Sequence, residues 1–135
     1  MYHETDFTAD MSKYLKGLPN THPIKITWAV EYKVCGPHKR LNYKSAFQPQ
    51  QIPYLEKVRY SCVYKKLSDL DPSIKEFDAF QICHAPAYVA ICWYTPRKLK
   101  AAHWIPIEHI TEHKKTHKSI SYLESTQFAE YIFNL

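Results

Sequence analysis

From Ile26 to Val34 an apolar side chain recurs at every second position, at Ile26, Trp28, Val30, Tyr32 and Val34. That period is the signature of a β-strand with one apolar face. The opposite face then carries Lys25, Thr27, Ala29, Glu31, Lys33 and Cys35. A strand rises about 3.3 Å per residue, so Glu31 and Lys33 leave the same face roughly 6–7 Å apart. A carboxylate suited to a hard cation then stands beside a fixed positive charge, an arrangement that fits metal-assisted attack on a phosphodiester. Taken alone, a Glu-x-Lys triplet is more often an ion pair across a strand face, and its surroundings must decide.

A chain of 135 residues is one domain with room for a single core, and 45% hydrophobic with 15% aromatic residues makes it globular. Only Gly17 and Gly36 are glycines, which excludes a P-loop or a Gly-x-Gly-x-x-Gly cradle and with it a bound nucleotide cofactor. Eighteen Lys and Arg against thirteen Asp and Glu leave a net charge of +5, which favours an anionic partner. The charge gathers at Lys39-Arg40 with Lys44, at Lys57 and Arg59, at Lys65-Lys66, at Arg97-Lys98 with Lys100, and at Lys114-Lys115 with Lys118. Tyr43, Tyr60, Tyr64, Tyr94 and Trp104 lie between these clusters, an interleaving that fits contact with phosphates and exposed bases. Cys35, Cys62, Cys83 and Cys92 form no Cys-x-x-Cys pair and read as reduced core cysteines of a cytoplasmic protein. No leader pattern and no apolar run near 18 residues indicates secretion or a membrane span.

Along the chain, residues 4–16 place Phe7, Met11, Tyr14 and Leu15 at helical spacing, with acids in the first turn and lysines in the last. A strand over 24–35 follows, closed by Gly36-Pro37. A second helix is expected to start near Pro49, with Pro53 in its first turn, where a missing amide is tolerated. Strands are expected over 60–67, 77–83 and 87–94, with a turn cluster at 68–73 between the first two. Residues 102–107 read as a short strand that Pro106 confines to an edge, and 124–133 as a closing helix.

The order of these pieces resembles that of the PD-(D/E)XK nucleases. Glu4 stands in the opening helix and Glu31-Tyr-Lys33 in a strand; Leu41-Asn-Tyr-Lys-Ser-Ala-Phe47 runs into Gln51-Ile-Pro-Tyr-Leu55, and the strand Ala87-Tyr-Val-Ala-Ile-Cys-Trp-Tyr94 precedes Trp104-Ile-Pro-Ile107. Within that superfamily the chain is most similar to the small Holliday-junction resolvases of archaea, Gram-positive bacteria and phages, over about residues 3–110. The resemblance implies an α/β, restriction-endonuclease-like fold, a mixed β-sheet flanked by helices, spanning 1–135 as a single nuclease-like domain. It implies an Mg²⁺-dependent endodeoxyribonuclease, with Mn²⁺ able to substitute, acting on branched DNA as a homodimer in the cytoplasm (a host's cytoplasm if phage-encoded). Glu31, Lys33 and Gln51 would be catalytic, and Glu4 would join Glu31 as a metal ligand. Lys39, Arg40, Lys44, Ser45, Arg97 and Lys98 would contact DNA.

One departure from the family's pattern is the acid usually found in a strand shortly before Glu-x-Lys, since residues 11–30 hold no carboxylate. Asp78 is the first candidate to replace it as a metal ligand, ahead of Asp69 and Asp71 in their turn. Gln51 would bind a phosphate or the attacking water, or cap its helix. Two rivals stay open: a binding module of the same fold that holds nucleic acid without cutting, and a nuclease acting on nicks, flaps or ends. His109, His113 and His117 would align on one face of a helix, but Lys114, Lys115 and Lys118 beside them favour a basic surface against DNA backbone over a zinc site.

Overall fold

Five helices and eight strands, in a computed structural model that describes residues 1–25, 27–66 and 79–135, follow one another as below. Helix α1 (Glu4–Gly17) leads through a 3₁₀ turn (Pro23–Lys25) to β1 (Ala29–Cys35), β2 (Leu41–Asn42), α2 (Tyr43–Ala46) and α3 (Gln51–Tyr60). Then come β3 (Cys62–Lys66), β4 (Ala79–Cys83), β5 (Ala87–Thr95), β6 (Leu99–Pro106), α4 (Ile107–Lys114), β7 (Ser119–Ile120), α5 (Tyr122–Phe128) and β8 (Tyr131–Asn134).

The main sheet runs in the order β1-β5-β6-β8, with β1 parallel to β5 and the other pairs antiparallel. A parallel pair needs a crossover, and the helices and hairpin between β1 and β5 supply it. Register sets Glu31 opposite Val89 and Lys33 opposite Ile91. Each face of the sheet carries its own core. On one, Trp28, Val30, Tyr32 and Val34 pack with Phe7, Met11, Tyr88 and Trp104 beneath α1. On the other, Ala29 and Cys35 pack with Leu55, Val58, Val89, Ile91, Ile107 and Ile110 beneath α3 and α4. The mixed α/β layering, a mixed sheet flanked by helices, agrees with the class expected.

Local chemistry explains the element ends. The Asp6 carboxylate accepts from the His3 amide at 2.7 Å and closes the first turn of α1, while Lys16 sits at the other end of the dipole. Asn42 Oδ1 accepts from the Lys44 and Ser45 amides and so starts α2. Pro53 is the third residue of α3, inside the first turn as expected.

Several expectations are corrected. The first strand begins at Ala29, later than 24, because Pro23–Lys25 turn as a 3₁₀ segment. The strand holding Pro106 is interior: β8 pairs with Ala101–Trp104 of β6 and stops short of Pro106, which is the last residue of β6. The tail is helical only to Phe128 and then turns into β8, where Phe133 is buried against the α1-side core. Cys62 and Cys83 are not reduced: they stand directly opposite in the β3-β4 ladder and form a disulfide, leaving Cys35 and Cys92 as free thiols. The turn cluster at 68–73 lies outside the described residues, as do Asp69, Asp71 and Asp78. Among the described residues no helix is long and apolar enough to cross a membrane.

Candidate functional site

The strand β1 is an edge of the main sheet, and that position makes the site. Lys33 leaves the α3 side of β1 among buried neighbours and is 5% exposed, a rare state for a lysine without partners. Its ammonium stands 3.1 Å from Glu31 Oε1 and 3.5 Å from Glu4 Oε1. The Phe47 ring, at the end of α2, lies 5.1 Å from the same nitrogen, close enough for a cation–π contact. Glu4 belongs to α1, which packs on the opposite face, so it meets Lys33 at the open edge of the sheet.

Gln51, the first residue of α3, completes the group. Its Nε2 donates to Glu31 Oε1 at 2.8 Å, while its Oε1 accepts from the Gln48 amide at 2.9 Å. Both ends of the side-chain amide are thus fixed, and with them the carboxylate of Glu31. Glu31 Oε1 takes both donors; among the described residues Glu31 Oε2 and Glu4 Oε2 have no hydrogen-bond partner. The Glu31 side chain is 25% exposed and that of Glu4 53%, so both reach solvent while Lys33 does not. A 400 Å³ cleft bordered by Trp28, Glu31, Gln51 and Tyr54 opens beside Glu31.

The donors suit a hard cation in kind: two carboxylates, each with one oxygen that has no hydrogen-bond partner among the described residues. They would be Glu4 and Glu31. The third acid expected, Asp78, lies outside the described residues. Among the described residues the one group of three metal-ligating side chains is elsewhere, at His113, His117 and Glu124.

The expected DNA contacts fall in two regions. Lys39 follows β1 and borders a 1010 Å³ hollow with Glu4, Gly36 and Pro96; Arg97 and Lys98 are exposed in the β5–β6 turn just beyond it, Arg97 at a left-handed φ of 61°. Lys44 and Ser45 are exposed on α2, and Lys44 lines a 740 Å³ groove with His117, Lys114 and Lys118 and no carboxylate. Arg40 is engaged with the protein itself, through Ser119 and a 2.7 Å ion pair to Glu124.

The three histidines do not align on one exposed helix face as expected, although His117 with Lys114 and Lys118 does border the basic groove. The helix ends at Lys114, His109 stacks on Phe128, and His113 is buried between Tyr43 and Glu124. The i, i+4 spacing of His113 and His117 was the visible signal; Tyr43 and Glu124, which hold His113, come from elements that no local pattern connects to it. Phe47 beneath Lys33 was missed for the same reason. No protein-family model matches the chain, and neither a curated protein nor a solved structure does.

Proposed function

We propose that this chain is a metal-dependent, structure-selective DNA endonuclease that hydrolyses phosphodiesters in branched DNA, four-way junctions first, as a homodimer. The observation that carries the reading is that Glu4 of α1 and Glu31 of β1 both pair with the buried Lys33 while Gln51 of α3 donates to Glu31. The net charge of +5 supports a polyanionic substrate. The homodimer rests on the resolvase resemblance, since paired cuts across a junction need two sites related by a two-fold axis.

In this reading Glu4 and Glu31 hold Mg²⁺, for which Mn²⁺ substitutes. The bound ion supplies Lewis acidity toward the scissile phosphate and lowers the pKa of water. Gln51 keeps the Glu31 carboxylate in one orientation, so the site is arranged before substrate arrives. Lys33 offers a positive charge that water screens poorly at this depth, aimed at the attacking water or at a phosphate oxygen. Lys39, Arg97 and Lys98 at the end of the sheet and Lys44 on α2 hold flanking phosphates by charge.

One observation favours a second reading, a non-cutting DNA-binding module: among the described residues only two carboxylates meet at Lys33, and both are ion-paired to it. Labelled four-way junctions, nicked duplexes, flaps and linear duplexes incubated with the full chain in Mg²⁺ or in chelator separate these. Metal-dependent cutting, fastest on the junction, is expected. Binding without cutting in Mg²⁺ and in Mn²⁺ supports the module, and preferential cutting of nicks, flaps or ends corrects the substrate.

A further inference from the structure

A second group of chemistry-bearing side chains stands behind α2. His113 near the end of α4, His117 just past it and Glu124 on α5 each present one ligand atom, and the three atoms lie within 4.8 Å of one another. We infer that they form a binding site for a borderline transition-metal dication, Zn²⁺ first, separate from the all-oxygen donors Glu4 and Glu31.

Each ligand is held from behind, as metal ligands require. His113 is buried, with Nδ1 2.7 Å from the Tyr43 hydroxyl and Nε2 against Glu124 Oε2. Without a metal, Nε2–H donates to Glu124; with the Tyr43 hydroxyl accepting from Nδ1–H instead, Nε2 offers its lone pair to an ion.

Glu124 is turned by Arg40, which donates to Oε1 at 2.7 Å and leaves Oε2 toward His113. His117 is exposed, its ring parallel to that of His113 with centroids 4.2 Å apart and its Nδ1 2.8 Å from Thr116 Oγ1.

Two imidazoles and one carboxylate select Zn²⁺ over Mg²⁺, and three protein ligands leave the remaining coordination to water. Lys114, Lys115 and Lys118 oppose a dication only weakly, because all three are exposed and screened. The ion ties α4 to α5 and, through Tyr43, to α2.

The test is titration of Zn²⁺ into the chelator-stripped full chain, followed by calorimetry, with the visible absorption of Co²⁺ as a second readout. One equivalent should bind. His117→Ala, at an exposed position that the fold does not need, should weaken binding at least about tenfold and abolish the Co²⁺ band. Glu124→Gln should weaken it similarly, while His109→Ala, whose ring stacks on Phe128, and Glu31→Gln should bind as the unaltered chain does. Equal affinity in His117→Ala, or an equal loss in His109→Ala, overturns the assignment.

Discussion

Burying a titratable side chain sets which protonation state the fold tolerates, and His103 shows this most clearly. It is 1% exposed in β6, with Nδ1 2.7 Å from Ser125 Oγ, which also accepts from Trp93 Nε1 at 2.9 Å. Burial lowers its pKa to about 4, against about 6.5 in an unfolded chain. Between those values the unfolded state binds the proton and the folded state does not, so stability is full above about pH 6.5 and falls as pH drops toward 4. The loss attributable to His103 is on the order of 2–3 kcal/mol by pH 4. Urea unfolding from pH 7 to 4.5 should show this slope, and His103→Gln should flatten it. An unchanged slope in the variant would assign the acid sensitivity to other groups.

At the scale of elements, the disulfide is the connection whose removal has the most legible consequence. Cys62 and Cys83, 21 residues apart, join β3 to β4 across a two-stranded sheet that is separate from the main one. Closing a loop of that length constrains the unfolded chain by about 3 kcal/mol. Cys62→Ser with Cys83→Ser should therefore lower the unfolding free energy by about 2–4 kcal/mol in urea without a reductant. Unfolding of the double variant at the wild-type midpoint would show that the bond adds nothing.

Element by element, the sequence was most readable where period and punctuation agreed. The opening helix carries acids, an apolar stripe and Gly17 in order, and β5 is a near-continuous apolar run buried on both faces. It was least readable where partners decide. Pro106 marks an edge only if nothing pairs nearby, and β8, which pairs further along β6, comes from 25 residues downstream, where a helix was expected. The Cys62–Cys83 bond depends on a register that spacing cannot reveal. At the site, Glu4, Glu31, Lys33 and Gln51 were legible by resemblance, and the structure brings these four together. The depth of Lys33 was not: Glu31 and Lys33 share a strand face read as polar, yet Ala29 and Cys35 on that face pack into the core beneath α3.

For the whole molecule, charge is the property that a polyanion meets first. If phosphate contacts from the exposed lysines and arginines dominate, junction affinity falls with salt at a log–log slope of about −0.9 per phosphate neutralised. Fluorescence anisotropy from low to moderate salt gives that slope, and a flat response would point to a protein or small-molecule partner. Affinity of this kind does not require the buried lysine, so binding and cutting are separable by mutation. The central claim is that Glu31 and Lys33 act in cleavage and not merely in folding. Single-turnover cutting of a four-way junction in Mg²⁺, measured beside junction affinity and thermal unfolding, tests it for Glu31→Gln and for Lys33→Met, which fills the same buried space without the charge. Both variants should remain folded and bind junctions within a few-fold of the unaltered chain, with cutting reduced at least about 10³-fold. Cutting at the unaltered rate by either folded variant would contradict it.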